Sequence, residues 1–517
     1  MDDGDGENSE VSGAAQNPAS TIIRAGAAQD CAPWPRMRLG QEAWRVMAAA
    51  LAREASLGLV ALWADPAEVH AIFVDEAARA VLCASVPVNE GKYPALSPTR
   101  PGAAWYERMI FDLWGHAADS GTDSRGWLEH GRWPNTAPMA ARPGPAGPPP
   151  EPPEFLAVEG EDLHQIPVGP IHAGIIEPGH FRFTAQGETV ARLEIRLGYT
   201  HKGTLSLMRG KTPRAAARFA ARLSGDATVA HSIAFARACE AALATEAPTR
   251  AVALRAVMAE MERMANHLGD IGAICNDASF AFALARFGFL REGMLRAADA
   301  AFGHRLMMDA VIPGGVAADM SPGGPEAIRR ALSAVEVEVP ALTRVYEDYA
   351  SLMDRMVSTG IVAAALAERF AAGGHVGRAS GRNVDARRFP GYPPYDVYAP
   401  DIPVLSTGDV DGRVRIRLAE IAASMRLIRA ILDEMPEGPV SVSLPVGSGE
   451  GIGVAESFRG DAWHFVRLDG GLIAANFMRD PSWAQWPLLE AAIEGNIVAD
   501  FPLCNKSFNG SYSGVDL

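Results

Sequence analysis

The chain has 517 residues, too many for one ordinary core, with 48% hydrophobic and 21% charged residues, the balance of a multidomain globular protein. Acidic residues outnumber basic ones, 62 to 47, for a net charge of −15, and such a surface repels nucleic acid, so that class of partner is set aside. Five scattered cysteines (Cys31, Cys83, Cys239, Cys275, Cys504), none in a CxxC pair, suggest neither a disulfide framework nor a zinc site and fit a reducing, cytoplasmic compartment.

Residues 1–34 open with MDDGDGENSEVSGAAQNPAS, acidic and polar, and read as a disordered tail rather than a signal peptide. No stretch offers the roughly 18 uninterrupted apolar residues of a spanning helix, so a soluble chain is expected. Residues 35–135 read as a small α+β domain. QEAWRVMAAALAREA has helical periodicity, LGLVALWADP, HAIFVDEA and AVLCASVPV are β-rich runs, and AAWYERMIFDLWGH returns to a helix. The Pro/Gly-rich stretch 136–155, TAPMAARPGPAGPPPEPPEF, cannot build a core and is taken as a linker. Residues 156–517 form the second domain. Strands at HFRFTAQ and ETVARLEIRLG flank a turn at Gly187, and a helix with Pro213 at its start and Thr212 as cap follows. Long helical patterns run on to about 370, and PVSVSLPV, AWHFVRLDGG and LIAANFMRD read as late strands. The expected fold class is α+β, a mainly α long-helix bundle with small β elements behind a small α+β domain.

Chemistry concentrates in few places. IPVGPIHAGIIEPGHFRF (166–183) sets His172, Glu177, His180 and Arg182 among glycines and prolines, where the backbone can approach a ligand; an interdomain corner is the plainer alternative. RLGYTHKG carries Tyr199, His201 and Lys202, and RLSGDATVAHS carries Arg222 and His231. HVGRASGRNVDARRFPGYPPYD brings arginines together with Asp385, as a structural ion-pair network would. GSGEGIGVAESFRGD (447–461) reads as a glycine-rich turn that lacks the Gly-Lys-Ser/Thr ending of a phosphate loop, so nucleotide binding there is rejected.

In this order GPIHAGIIEPGHFRF, RLGYTHKG, VAHSIAFARACEAA, EMERMANHLGDIG, GRASGRNVDARRFPGYPPYD and DFPLCNKSFNGSYSGVDL resemble the large subunit of energy-converting (group 4, formate-hydrogenlyase-type) nickel–iron hydrogenases, a family homologous to the 49-kDa-type quinone-site subunit of complex I. The resemblance covers roughly 156–517. YPALSPTRPGAAWYERMIFDLWGH resembles the complex I 30-kDa subunit, fused ahead of it.

The resemblance implies four nickel-ligand positions, and here they hold Ser224, Ala227, Ser511 and Gly514. No thiolate stands at any of them, and Cys504 could supply at most one, so no nickel–iron centre and no hydrogenase activity of the chain alone are expected. The cavity that remains would take a quinone headgroup beside a [4Fe-4S] cluster held by a 20-kDa-like iron–sulfur small subunit. The family's quinone histidine maps to His180, with His172 second, whereas its tyrosine position holds Val229, which cannot donate a hydrogen bond. Glu177 matches the carboxylate that moves protons in the hydrogenases, and it is expected to be buried beside a histidine.

The implied catalytic set is Glu177, His180 and Arg222, and the implied cavity set is His172, His180, Tyr199, His231 and Asp385. The implied setting is a hetero-oligomeric, complex I-like oxidoreductase with antiporter-like membrane subunits, peripheral on the cytoplasmic face of the membrane. The alternative is a purely structural subunit, and the two differ in what they expect of the cavity. A polar, open pocket around Glu177, His180 and Arg222 belongs to the first; apolar infill from Leu223 and Val229 belongs to the second.

Overall fold

The computed structural model describes residues 18–147, 154–160 and 162–517. They divide into two compact units. One runs to Glu154 and includes Glu368–Ala371; the other comprises Phe155–Ala367 and Ala372–Leu517.

In the first unit, helix α1 (Ala19–Arg24) and strand β1 (Ala27–Gln29) lead to β2 (Arg36–Arg38), α2 (Gln41–Ala50), β3 (Leu57–Ala64), β4 (Glu68–Asp75), β5 (Ala80–Pro87) and α3 (Ala103–Trp114). One sheet has the order β1-β2-β5-β4-β3, antiparallel except where β2 runs parallel to β5. Every residue of β3 is buried, which explains why LGLVALWA is apolar throughout rather than alternating.

Two expectations need correction here. The tail expected over 1–34 ends before residue 19, because Ala19 and Ile23 of α1 are buried and β1 pairs with β2; residues 1–17 fall outside the described residues. The expected linker is partly packed chain. Thr136 pairs with Gly144, and buried Met139 donates its N–H to Leu113 O at 2.8 Å, whereas 148–153 fall outside the described residues.

The second unit opens with a three-stranded antiparallel sheet, β6 (Leu163–Val168), β7 (His180–Gln186) and β8 (Thr189–Arg196). Thr212 caps α4 (Pro213–Ala220) by accepting the Ala215 N–H. Helices α5 (Thr228–Ala242), α6 (Thr249–Asp277), α7 (Ala281–Phe302), α8 (Gly324–Asp348), α9 (Gly374–Ala379) and α10 (Val410–Asp433) follow. A second antiparallel sheet, β9 (Gly449–Ser457), β10 (Gly460–Asp469) and β11 (Leu472–Arg479), precedes α11 (Ser482–Ala492), α12 (Phe501–Phe508) and α13 (Tyr512–Asp516).

The segment 447–461, expected as a turn, is mostly strand β9. Its alternate glycines let the strand lie flush on the backbone of α5. A Cβ at Gly449, Gly451 or Gly453 would fall 2.2, 2.0 or 2.1 Å from the carbonyl oxygens of Ala242, Ala238 and Ala234. The strand repeat of two meets the helix repeat of four, one glycine per helical turn. PVSVSLPV, expected as a strand, makes only the bridge Ser441–Gly315, and β6 had no counterpart among the expected strands.

Helix α6 is the axis of this unit, and it carries buried charge as well as apolar side chains. Glu260 and Arg263 join Arg378, Asp385, Arg387, Glu420 and Glu456 in one buried network, with Arg387–Asp385 at 2.7 Å, Arg387–Glu260 at 2.9 Å and Arg263–Glu420 at 3.1 Å. Buried charges persist when each is paired in this way. The network ties α6, α10 and β9 together through loop 380–391 and fixes the frame on which the site is mounted.

Candidate functional site

The loop between β6 and β7 closes on itself at a narrow neck. Gly169, at φ +91°, faces Gly179, where a Cβ would fall 2.1 Å from the Gly179 oxygen, and the Gly179 N–H donates to Pro170 O at 2.9 Å. The loop presents Ile171 and Ile175 outward and sets His172 and Glu177 against the turn that begins α13. Glu177 accepts the Ser513 N–H at 3.0 Å, and His172 Nε2 lies 3.5 Å from the Tyr512 hydroxyl. A cavity of about 600 Å³ opens there. His172, Glu177, Ser224, Asp226, Arg459 and Ser511 stand in its polar wall with Asp277 and Lys506; Ile176, Phe181 and Phe501 supply apolar wall.

The four positions that the resemblance assigns to nickel ligands carry no thiolate. The Ser224 and Ser511 hydroxyls stand 2.8 Å apart, and Ser224 donates to Asp226 Oδ1 at 2.9 Å, so Ser511 is the donor between them. Ser511 Oγ also caps α13, accepting the Gly514 N–H at 3.0 Å. A Cβ at Gly514 would fall 2.7 Å from Asp480, leaving no room for a ligand side chain, and Ala227 is fully buried at the start of α5. The Asp226 carboxylate is gripped bidentately by Arg459, whose Nη1 lies 2.7 Å from Oδ1. Burial would raise the Asp226 pKa, but the Arg459 charge and its hydrogen bonds hold it below the usual carboxylate range. Cys504 lies buried outside the cavity lining, its thiol pushed up to about 11 by burial. Hydroxyls, a salt-bridged carboxylate and a guanidinium make a poor donor set for nickel, which takes soft, deprotonated thiolates in such sites. The residues present do not fit that metal.

The structure brings together only part of the expected constellation. His172 and Glu177 line the cavity; His180 and Arg222 do not. His180 begins β7, buried against Phe155 (ring centroids 5.0 Å apart), with no partner for Nε2 among the described residues. Burial, then the Arg182 charge, lowers its pKa. Arg222 points to the surface and pairs with Asp309 at 2.7 Å. Glu177 is exposed, not buried as expected. Tyr199 is half-buried beside Arg196, its pKa raised by burial. His231 is wholly buried behind the site, bridging Asp480 at 2.9 Å and His464 at 3.0 Å. Asp385 belongs to the ion-pair network, the plainer of its two readings. Leu223 and Val229 are buried but do not line the cavity.

Three features escaped the sequence reading. The Asp226–Arg459 pair joins residues 233 positions apart, which no local motif signals. Asp516 accepts from Gly198 N, Thr200 N and the Thr200 hydroxyl (2.8, 2.9 and 2.6 Å), yet burial, helped by the Glu177 charge, pushes its pKa up to about 6. Glu262 caps the start of α5 through Val229 N (2.7 Å) and Ala230 N (3.1 Å), and burial raises it to about 8. An acid in GVDL and a second acid in the helical MERMANH were visible, but nothing local marked either as raised above the usual carboxylate range.

Residues 278–446 match the family of the respiratory-chain NADH dehydrogenase 49 Kd subunit, and residues 202–269 match the nickel-dependent hydrogenases. The chain is 28% identical over 444 residues to formate hydrogenlyase subunit 5 of Escherichia coli, covering 83% of this chain and 78% of that one. It is 28% identical to the membrane-bound hydrogenase subunit alpha of Pyrococcus furiosus, over 68% of this chain and 87% of the relative. It is 32% identical over 290 residues to an NADH-quinone oxidoreductase subunit of Acidiphilium cryptum, covering 56% of this chain and 71% of the relative.

Proposed function

The chain belongs to the family that unites the 49-kDa subunit of NADH-quinone oxidoreductases with the large subunit of membrane-bound hydrogenases, and on that premise we propose that it is a subunit of a membrane-associated, complex I-like oxidoreductase whose cavity works without a nickel–iron centre. The observation that carries this reading is the Ser511–Ser224–Asp226–Arg459 chain, hydrogen-bonded oxygens and a guanidinium at and beside two of the four positions that the resemblance assigns to nickel ligands.

The cavity suits a neutral, flat, carbonyl-bearing molecule of the quinone class. Phe181, Phe501 and Ile176 offer apolar faces, and the Tyr512 hydroxyl and His172 offer polar edges. Reduction of such a carbonyl consumes protons. Asp516, buried behind the wall with its pKa pushed up to about 6, is the proton-holding group, and Glu177, exposed in the lining and raising the Asp516 pKa by its charge, links it to the cavity. A [4Fe-4S] cluster on a partner small subunit would supply the electrons. No helix among the described residues is long and apolar enough to cross a membrane, so attachment to the cytoplasmic face would run through partner subunits, antiporter-like ones among them.

A purely structural subunit would be favoured by a cavity filled with apolar side chains, and the polar lining argues for the redox reading. The test is turnover of the assembled complex carrying Glu177→Gln or His172→Ala. Glu177→Gln keeps an acceptor for Ser513 N but loses the exchangeable proton, so turnover should fall at least about tenfold with assembly intact. Wild-type turnover in both variants would leave the structural role.

A further inference from the structure

A second cavity, of about 230 Å³, shares Gly225 and Asp226 with the first and is walled by α6, α7 and the turn after α7. Its walls are apolar and pliant: Met261, Met294, Leu295, Leu306, Met307 and Met308. Methionines line surfaces that adapt to an apolar guest. The polar groups in the lining are nearly all engaged inside the protein. Asp226 is held by Arg459, and both Glu262 oxygens accept backbone N–H groups. The Asn266 amide donates to Asp226 O and Glu262 O, and Arg305 pairs with Glu292 at 3.1 Å.

The exception is Arg291. It makes no hydrogen bond or ion pair among the described residues, although its stem is seated on purpose-made space. A Cβ at Gly269 would fall 2.7 Å from Arg291 Cδ, so the glycine leaves the space in which that stem lies across α6. A guanidinium steered to the edge of a methionine-lined pouch, with no carboxylate of its own, is a site for an anion attached to an apolar body.

We propose that this pouch binds a small amphiphile, a single-chain alkyl carboxylate of medium length, with its chain among the methionines and its carboxylate on Arg291. A two-chain lipid is too large, since the cavity falls below the roughly 300 Å³ at which sites for drug-sized ligands begin. The site lies back to back with the larger cavity across Gly225–Asp226, so its occupant would bear on the segment that holds the Asp226–Arg459 pair. The inference stands whether or not the larger cavity is redox-active.

The full chain, labelled with ¹³C-methyl methionine, should be titrated with octanoate and, separately, with 1-octanol. Octanoate should shift the Met261, Met294, Met307 and Met308 resonances saturably at about millimolar concentration, the affinity ordinary for about ten non-hydrogen atoms. It should bind wild type at least about tenfold more tightly than octanol, because a charge-assisted contact to a guanidinium is lost with the alcohol. Arg291→Gln should erase that difference, and Met294→Trp should block both probes. Equal binding of octanoate and octanol to wild type, shifts spread beyond these four methionines, or no saturable shift would overturn the proposal; the first comparison needs no variant. Phosphatidylglycerol vesicles that shift the same resonances more strongly than octanoate would equally overturn it in favour of a membrane lipid.

Discussion

Arg459 and Asp226 form the ion pair in the cavity wall beside Ser224 and Ser511, and the strength of that pair follows from burial. The Arg459 side chain is 2% exposed, whereas Asp226, facing the cavity, is 36% exposed. Removing one member of a buried pair strands the other, at about 3–5 kcal/mol. Arg459→Met leaves Asp226 with only the Ser224 hydroxyl, and cavity solvent relieves part of the loss, so a cost of about 3 kcal/mol is expected. Asp226→Asn strands a guanidinium that keeps the Asn509 carbonyl, again at about 3 kcal/mol. The double variant strands neither charge and should be more stable than the sum of the singles by about 2–3 kcal/mol. Chemical denaturation of the purified full chain, followed by tryptophan fluorescence with Trp483 and Trp486 as nearby reporters, measures all four forms. Coupling below about 0.5 kcal/mol would refute the pair as a stabilising element of the cavity wall.

Gly453→Ala drives a Cβ to within 2.1 Å of Ala234 O and must pry β9 off α5, costing more than about 3 kcal/mol, whereas Gly288→Ala, in α7 with nothing near the new Cβ, should gain about 0.5–1 kcal/mol; thermal melts of both variants check the contrast. Glu262, raised from 4.5 to about 8 by burial, keeps its proton in the folded chain at pH values where the unfolded chain has released it. Its contribution is therefore complete below about pH 4.5 and declines as pH rises toward 8, by a few kcal/mol in all; Glu262→Gln should flatten the stability curve over that window, and a constant offset between the two curves would count against the assignment. Arg222→Ala removes an exposed pair with Asp309 and an exposed hydrogen bond to the Arg218 carbonyl, so stability should change by less than about 1 kcal/mol and turnover of the complex not at all; a large drop in turnover would return Arg222 to the site.

What the sequence made legible was local. The α+β class, the HFRFTAQ and ETVARLEIRLG hairpin around Gly187, the Thr212–Pro213 helix start and the long α6 all follow from periodicity and capping, which act within a few residues. The segment 447–461 misled because glycine normally marks turns; its alternate spacing makes sense only against α5, more than 200 residues away. The same limit governs the site. His172 and Glu177 stood out by residue type and do line the cavity. His180, eight residues after His172, lies beyond the loop neck, and the choice between the two histidines depended on a closure that spacing does not reveal. Arg222 looked catalytic because it borders the positions that the resemblance assigns to nickel, yet its partner Asp309 comes from a distant turn and draws it outward. Asp226, two residues from Ser224, has no complementary residue near it in the sequence; its partner Arg459 lies in the segment 447–461 that reads as a turn.

We propose a redox subunit in which hydrogen-bonded side chains stand where the resemblance places nickel ligands. Elemental analysis of the purified, turnover-competent complex containing this chain tests that claim most directly. The account predicts activity in a preparation with iron from the partner's clusters and no stoichiometric nickel; one nickel atom per copy of this chain, lost together with activity on chelation, would contradict it.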